Sequence, residues 1–556
     1  RHIIMTRNKV ATALKSRLSE IKSRKITSVP IPKLEENPSA CNYCFNKVAS
    51  MVLFKLLENG TEENCRISED EYEQLTGHLP QDVTKYKNFF VKYNDLLTKE
   101  ESSVCASNQD LFLLDGKTRE SKNGHCIPEL RILKISEDEE SPGRYIYEFT
   151  RKNSDTQTHE SMSKSQIFIG DRVILSDENG HFSIASGSVI DMKDNMIIVS
   201  TKRKLLHNQI SLRHNNESKI ESVIDPRIDK AEIISTQNTV TYRIDKYDIQ
   251  QPLSGSRFNI LNLFLPPIKK DMSVINEKTN EERLLKLSEG GDERMRRFLI
   301  DNEAPQFLTK DEKPLLQNYL PANTTFNIDQ HNALDLCLRA KDYALVLGMP
   351  GTGKTTLIAD LIKILVKNGK KILLTSYTHS AVDNILLKLL DTDIKTIRLG
   401  ADKKIHPDTR RYIPDYTSAT TYQEFLSMVN NTSLVATTCL GINDLLFSYK
   451  EKDFDYVILD EASQVSMPVA LGPLRFGEKF IMVGDHNQLP PLVKNDCART
   501  QGLEDSLFKI LSENHPESMA ELTVQYRMCE DIMKLSNFLI YEDKLKCGNK
   551  QISNQS

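Results

Sequence analysis

Eight residues that read Gly-Met-Pro-Gly-Thr-Gly-Lys-Thr, Gly348–Thr355, constrain the fold of this chain more than any other segment. They follow the apolar run Tyr343–Leu347, which predicts a buried strand, and they open Thr356–Asn368, whose apolar spacing predicts a helix. Glycines in such a loop let backbone N–H groups turn onto phosphate oxygens, and the helix dipole favours the same anion. The pattern predicts a nucleotide-phosphate site; the alternative, a chance glycine-rich loop, is disfavoured by this context.

Each residue type in the loop suits a phosphate ligand. Lys354 supplies positive charge for the β and γ phosphates of ATP, and Thr355 supplies a hydroxyl for Mg²⁺. ATP and Mg²⁺ are therefore the predicted ligands. The rest of the predicted cradle consists of Gly348, Met349, Pro350, Gly351, Thr352 and Gly353.

From about residue 325 onward, short apolar runs alternate with helix-like segments. The further candidate strands are Ile372–Leu374, Leu434–Ala436, Tyr456–Leu459 and Phe480–Val483. Strands that alternate with helices are typical of a doubly wound parallel sheet, so we predict an α/β fold for this part of the chain.

Polar residues near these runs are candidates for catalysis. Asp460 and Glu461 follow the third run, where Asp460 can hold Mg²⁺ and Glu461 can take a proton from water. Gln488 suits a γ-phosphate sensor, although a plain turn before two prolines is the alternative. Arg527 is a candidate arginine finger, and an ordinary surface arginine otherwise. Gln330 either reads the adenine edge or simply starts a helix.

The first 320 residues have a different pattern. Residues 1–100 predict helices, and their first stretch is basic; a solvated helix face explains this charge better than a binding surface. Residues 108–250 contain short strand-like segments separated by turns, which predict a small antiparallel barrel. Residues 272–318 are charged and helix-like, so we interpret them as a linker or stalk.

Charge and cysteine content limit the functional classes. The formal net charge of −4 gives no bulk positive field, but a local basic groove is sufficient for nucleic acid. No apolar run is long enough for a membrane span, so no membrane partner is predicted. Ten cysteines in 556 residues are too sparse for a disulfide scaffold and fit reduced thiols.

Together these motifs resemble those of superfamily-one helicases of the 5′-to-3′ branch. Gly348–Thr355, Asp460–Ser463, Gly484–Pro491 and Gln525–Met528 resemble the family's motifs I, II, III and IV. The resemblance implies an ATP hydrolase that moves along single-stranded DNA. It implies that polar residues in two further segments contact the backbone of single-stranded DNA. These residues are Thr375, Ser376, Thr378, His379, Asn384, Thr437 and Thr438.

The phrase Thr375–Asn384 is most similar to the eukaryotic, fungal-like DNA replication ATP-dependent helicase/nucleases. That resemblance spans nearly the whole chain and implies a role in Okazaki-fragment flap processing and DNA end resection. It divides the chain into the end of a nuclease domain (1–105), a β-barrel (106–255), a helical stalk (256–320), a first RecA-like core (321–520) and the start of a second core (521–556).

The resemblance also implies a 4Fe–4S cluster, from which this sequence departs. Cys41 and Cys44 match two of the family's four cysteines, but Ser50 stands at the third position and the upstream cysteine would precede Arg1. The family's nuclease residues would also lie upstream of Arg1, and later helicase motifs beyond Ser556. We therefore expect the chain to be a fragment.

The expected partners are single-stranded or flapped DNA and replication protein A. We expect a monomer in the nucleus, with the mitochondrion as a second compartment. Two alternatives stay open: an RNA helicase of the same superfamily, and, for this chain, a module that binds nucleotide and single strands without turnover.

Overall fold

The computed structural model describes residues 46–65, 67–138, 143–151, 162, 165–178, 183–205, 241–247, 251–266, 274–275, 282–283, 291–309, 326–416, 421–444, 446–447 and 454–548. None of the helices in these ranges combines the length and the apolar composition that a membrane span requires. The chain divides into two compact units, one of residues 1–94 and 258–304, the other of residues 95–257 and 305–556.

The helices are numbered along the chain. They are α1 Lys47–Glu58, α2 Glu69–Thr76, α3 Thr84–Leu113, α4 Gly116–Asn123, α5 Gln251–Asn262, α6 Glu293–Leu299, α7 Ile328–Arg339, α8 Lys354–Lys367, α9 His379–Leu387, α10 Tyr422–Asn430, α11 Met467–Leu474, α12 Asp496–Ala498, α13 Leu507–Asn514 and α14 Glu530–Ser536.

The strands follow the same order. They are β1 Cys126–Glu137, β2 Tyr145–Arg151, β3 Arg172–Asp177, β4 Ala185–Lys193, β5 Met196–Thr201, β6 Tyr242–Lys246, β7 Val274–Ile275, β8 Glu282–Arg283, β9 Tyr343–Gly348, β10 Ile372–Ser376, β11 Thr396–Arg398, β12 Leu434–Thr438, β13 Phe454–Asp460, β14 Gly477–Gly484, β15 Met519–Leu522, β16 Val524–Gln525 and β17 Lys546–Cys547.

The first unit is largely helical. The Ser68 side chain begins α2 by accepting a hydrogen bond from the Glu71 backbone N–H at 3.3 Å, which satisfies a donor that the first helical turn leaves free. Met51 and Phe54 of α1 pack with Tyr72 of α2 in a small buried cluster. These helices agree with the prediction for the described part of residues 1–100.

The second unit contains the predicted barrel. Strands β1–β6 close into an antiparallel barrel in the order β1-β2-β5-β4-β3-β6, which confirms the expected architecture. Its core includes Tyr147, Phe149 and Tyr242, all buried. Closure removes exposed strand edges, which is why short strands of this kind are stable without flanking sheets.

The second unit also contains a seven-stranded parallel sheet, in the order β11-β12-β10-β13-β14-β9-β15. Every residue of β9, β10 and β12 is buried, as expected for strands covered on both faces. This sheet confirms the predicted RecA-like α/β class. It extends through β15 and therefore crosses the predicted boundary at residue 520; the domain limits themselves stay predictions.

The parallel register aligns the carboxyl ends of the central strands. Ser376 at the end of β10 is opposite Asp460 on one side and Thr438 on the other. Gly484 at the end of β14 is opposite Leu347 of β9. Residues that follow these strands therefore meet at one edge of the sheet, where α/β proteins bind their ligands.

Candidate nucleotide and single-strand site

The loop between β9 and α8 has the backbone of a phosphate cradle. Gly351 and Gly353 adopt φ values of 75° and 87°, which L side chains rarely adopt, so glycine is needed at both positions. Thr352 is buried, and its Oγ1 donates to the Met349 carbonyl at 2.7 Å, which closes the loop on itself. Lys354 Nζ donates to the Gly348 carbonyl at 2.9 Å. The lysine thus folds over the cradle that it is predicted to charge.

Asp460 and Glu461 end the strand β13 at the same edge. Asp460 is buried, and its Oδ1 accepts no hydrogen bond from the residues that the structure describes. Burial and the neighbouring Glu461 raise the pKa of Asp460 to about 7, while Lys354 opposes the shift. A buried carboxylate oxygen without a partner fits a Mg²⁺ site, for which Thr355 would supply the hydroxyl.

Glu461 has a strained backbone. Its φ of 51° lies in the left-handed region, which non-glycine residues adopt at a cost and which is common at functional sites. Gln464 Nε2 donates to Glu461 Oε2 at 3.3 Å and orients the carboxylate. This geometry is compatible with the predicted role of Glu461 as a proton acceptor.

Gln488 belongs to a hydrogen-bonded cluster around Asp485. Gln488 Nε2 and the Tyr541 hydroxyl each donate to Asp485 Oδ2 at 2.8 Å. The Asp485 backbone N–H in turn donates to Ser463 Oγ at 3.1 Å. The cluster therefore joins the segment after β13, the segment after β14 and the helical segment after α14.

We expect Tyr541→Phe to lower ATP turnover about tenfold, because a hydrogen bond to a charged group contributes roughly 1.5–3 kcal/mol. Asp485 would lose one of the two donors to its Oδ2 and keep the Asn487 backbone N–H on Oδ1 at 3.0 Å, so the cluster that orients Gln488 would be weakened. Nucleotide affinity should be unchanged, since Tyr541 does not form the phosphate cradle. Steady-state ATPase and nucleotide titration test this, with the exposed Tyr422→Phe as control. Equal turnover in both variants would contradict the prediction.

Arg527 lies directly against the phosphate cradle. A Cβ built on Gly351 would be 2.8 Å from Arg527 Cβ, and the Tyr526 backbone N–H donates to the Gly351 carbonyl at 2.9 Å. Gln525 is buried and its Oε1 accepts the backbone N–H groups of Arg527 and Met528 at 2.8 and 2.7 Å. Gln525 thus fixes the turn that brings Arg527 to the loop.

Gln330 lies beside the same loop and also caps a helix. Its Oε1 accepts the Asn327 backbone N–H at 3.2 Å in a capping box at the start of α7. Its Nε2 would be 3.3 Å from a Cβ built on Gly353. The position of Gln330 is therefore compatible with both predicted roles, contact with the adenine edge and a place at the start of a helix. Asn327 Nδ2 also donates to the Tyr526 hydroxyl at 2.9 Å, which places an aromatic ring near the cradle.

The residues predicted to contact single-stranded DNA are partly buried and partly accessible. Thr375, Ser376 and Thr437 are fully buried, and Thr375 Oγ1 donates to Cys439 Sγ at 3.5 Å. The side chains of these three residues are therefore inaccessible to solvent in this structure, and their contacts with single-stranded DNA stay predictions. Thr438 is also largely buried, with 9% of its surface exposed. The residues whose side chains reach the surface wholly or in part are Thr378, His379 and Asn384.

His379 is held by a buried ion pair. Arg398 Nε donates to Asp383 Oδ1 at 2.8 Å, and both side chains are almost inaccessible to solvent. Arg398 Nη2 lies 3.1 Å from His379 Nδ1. Since a guanidinium can only donate, Nδ1 must accept and the ring proton must be on Nε2. Arg398 therefore fixes His379 as a neutral ring with one free donor.

Between pH 8 and pH 6, the contribution of His379 to the affinity for single-stranded DNA should rise less than that of an ordinary histidine. Burial lowers the pKa of His379 below its ordinary 6.5, helped by Arg398 and Lys404 and opposed by Asp383. A lowered pKa means that the ring carries less positive charge at pH 6 than an ordinary histidine, whose charged form would bind phosphate more tightly. Binding titrations of the wild type and His379→Gln at both pH values test this. A ratio between the two that rises toward pH 6 as steeply as an ordinary histidine would produce would contradict it.

Several residues of the site were not found from the sequence. Asp485, Tyr541, Tyr526, Arg398 and Asp383 lie near predicted residues, but nothing in their spacing reveals their contacts. Asp485 stands next to the noted Gly484, and Asp383 lies inside the phrase Thr375–Asn384. A buried charge needs a partner, and partners distant in sequence can be identified only after folding.

Glu100 of α3 holds the segment that follows the Gln488 region. Its two carboxylate oxygens accept the backbone N–H groups of Lys494 and Asn495 at 2.9 and 2.8 Å. Asn495 Nδ2 returns a hydrogen bond to the Lys99 carbonyl at 3.0 Å. Charge-assisted hydrogen bonds that no motif predicted therefore join this part of α3 to the segment that contains Lys494 and Asn495.

The iron–sulfur prediction is not decided by the structure, because Cys41 and Cys44 lie outside the described residues. In the described part of the chain, no group of three or more His, Cys, Asp or Glu side chains could hold a metal. Cys65, the nearest described cysteine, is buried and donates to the Glu62 carbonyl at 3.6 Å.

Comparison with known families agrees with this architecture. A family model described as AAA domain matches residues 325–424 and 415–496, and a second model with that description matches residues 503–556. The model described as Dna2 Rift barrel domain matches residues 117–217.

Curated relatives match the whole chain. It is 54% identical over 556 residues to the DNA replication ATP-dependent helicase/nuclease DNA2 of Saccharomyces cerevisiae, covering 100% of this chain and 36% of that protein. It is 34% identical to the Schizosaccharomyces pombe dna2 protein of the same description, covering 100% and 36%. The human DNA2 protein is 34% identical, covering 100% and 48%. The chain thus spans between about a third and a half of these relatives.

Proposed function

Because this chain belongs to the family of DNA replication ATP-dependent helicase/nucleases, we propose that it is the part that binds ATP with Mg²⁺ and hydrolyses it to move along single-stranded DNA. One observation carries the proposal. The cradle Gly348–Thr355, the Asp460–Glu461 pair, Gln488 and Arg527 come from distant parts of the sequence and meet at one edge of the sheet.

In this proposal each residue acts on the phosphates or on the attacking water. Lys354 leaves the Gly348 carbonyl and donates to the phosphate oxygens, where its charge stabilises the transition state. Glu461 accepts a proton from the water, and Arg527 places its guanidinium beside the γ-phosphate. Bound Mg²⁺, held by Asp460 and Thr355, would neutralise phosphate charge.

In this proposal the nucleotide and the single-stranded DNA bind at the same edge of the sheet. Ser376 of β10 and Asp460 of β13 are register partners, so the segment proposed to contact DNA begins beside the residues proposed to hold Mg²⁺. His379 lies three residues after Ser376, the last residue of β10, and offers the Nε2 proton that Arg398 fixes. Contacts of this kind to phosphate do not read sequence, which suits a protein that moves along any strand.

ATP turnover measured with and without oligo(dT) tests the proposal. We expect the strand to accelerate hydrolysis, and matched DNA and RNA strands in competition should show a preference for DNA. A preference for RNA would favour the surveillance type of RNA helicase from the same superfamily. Nucleotide binding with no turnover at any strand concentration would favour a binding module.

For the whole protein we propose an activity that combines helicase and nuclease, in line with the descriptions of the relatives. Its proposed substrates are flapped DNA at Okazaki fragments and resected DNA ends, with replication protein A as partner. We further propose a monomer that acts in the nucleus, with the mitochondrion as a second compartment. A 4Fe–4S cluster belongs to this proposal only if further cysteines complete the pair Cys41 and Cys44, which ultraviolet–visible spectroscopy of the whole protein would test.

A further inference from the structure

A short turn before β3 presents two apolar side chains on the barrel surface. Phe168 is 59% exposed and Ile169 is 61% exposed, although large apolar side chains of this kind stabilise a fold only when buried. A positive charge lies beside the turn, because the Nζ of Lys246, the last residue of β6, is 5.4 Å from the centroid of the Phe168 ring. An exposed aromatic ring next to a fixed cation is a surface suited to a ligand that is both aromatic and anionic.

The turn is held in one conformation by its own hydrogen bonds. Asp171 accepts the Phe168 backbone N–H at 2.8 Å, and the Phe168 carbonyl accepts the Asp171 backbone N–H at 3.0 Å. Gly170 has a φ of 89°, which favours glycine, and its N–H donates to the Val189 carbonyl at 2.8 Å. Asp171 also pairs with Lys246 at 2.8 Å. A side chain on such a turn binds without a large ordering cost.

The turn lies beside the predicted strand-contact segment. A Cβ built on Gly170 would be 3.2 Å from Lys404 Cε, so this part of the barrel approaches an exposed lysine of the parallel-sheet domain. Lys404 is close enough to His379 to contribute to the lowering of its pKa. Lys404 therefore lies against the Phe168 turn and also acts electrostatically on His379.

We propose that the Phe168 turn is a base-stacking site for the single strand, in which Phe168 receives a base while Lys246 and Lys404 face the adjoining phosphates. The proposal rests on the proposed function, since it requires a strand at His379. Single-strand binding proteins combine basic residues along the backbone with aromatic rings on which bases stack, irrespective of sequence. The barrel would thus contribute directly to strand binding.

Binding is measured with two ligands, oligo(dT) and a phosphodiester strand of equal length without bases. Comparing them distinguishes base stacking from phosphate binding. Phe168→Ala should weaken binding of oligo(dT) by roughly 5- to 100-fold and leave the base-free strand unaffected. Phe168→Trp, which keeps an aromatic ring, should stay close to the wild type. Leu133→Ala, another exposed apolar residue of the barrel, is the matched control and should bind both strands normally.

His379→Ala separates this inference from the proposed function. We expect it to weaken binding of both strands, because it removes a phosphate contact. If the wild type bound neither strand, the proposed function would fail. If the wild type bound both but Phe168→Ala weakened both equally or changed neither, only the stacking site would be refuted. Thermal unfolding followed by circular dichroism checks that the variants fold, which the exposure of Phe168 favours.

Discussion

Lys354→Ala is expected to lower strand-stimulated ATP turnover by roughly 100- to 1,000-fold, the loss seen when one charge-stabilising donor is removed from a preorganised site. Lys354 begins α8, and its Nζ already lies over the phosphate cradle, 2.9 Å from the Gly348 carbonyl. Its charge would act where negative charge develops on the γ-phosphate. Alanine leaves the helix intact but removes that charge, so the loss should fall mainly on turnover.

Lys363→Ala provides the matched control for this measurement. Lys363 belongs to the same helix but pairs with Asp360 at 3.0 Å and is 41% exposed, so its loss should change turnover little. Steady-state ATPase with saturating oligo(dT) compares the two variants with the wild type. If Lys354→Ala hydrolysed ATP at the wild-type rate, Lys354 would have no role in hydrolysis and the proposed phosphate site would be wrong.

Arg398→Met is expected to destabilise the parallel-sheet domain by about 3–5 kcal/mol, because it leaves the buried carboxylate of Asp383 without its charged partner. Arg398 is fully buried and also donates to the Leu399 carbonyl at 2.7 Å. Among the donors that the described residues provide, Asp383 would keep the Thr409 hydroxyl at 3.1 Å and the His406 backbone N–H at 3.1 Å. These neutral groups cannot replace the guanidinium charge.

Urea unfolding followed by circular dichroism measures this effect, since the chain contains no tryptophan to report it by fluorescence. The exposed pair Lys370–Asp455, at 2.8 Å, offers a control: Lys370→Met should cost no more than about 1 kcal/mol. Adding Asp383→Leu to Arg398→Met should recover part of the stability, because it removes the unpaired charge. A small effect in Arg398→Met, comparable with the control, would show that the pair does not stabilise the fold.

The sequence was sufficient to predict the class and location of the main elements. The run Tyr343–Leu347 became β9, and the alternation of strands and helices became the parallel sheet. These predictions succeed because hydrophobic periodicity is a local property of the chain. The burial of Thr375, Ser376 and Thr437 was not predicted, since a hydroxyl in a β-strand can face either solvent or core.

Contacts between distant residues required the fold. The sequence alone was sufficient to predict the cradle of Gly348–Thr355 and the Asp460–Glu461 pair at the ends of β-strands. Both motifs consist of residues that are adjacent in the sequence, so they can be recognised without the fold. Only the tertiary structure brought Arg527 to Gly351, fixed the proton of His379 through Arg398, and placed the Phe168 turn beside Lys404. Burial, hydrogen bonding and charge act through space, so residues far apart in sequence acquire these roles only when the chain folds.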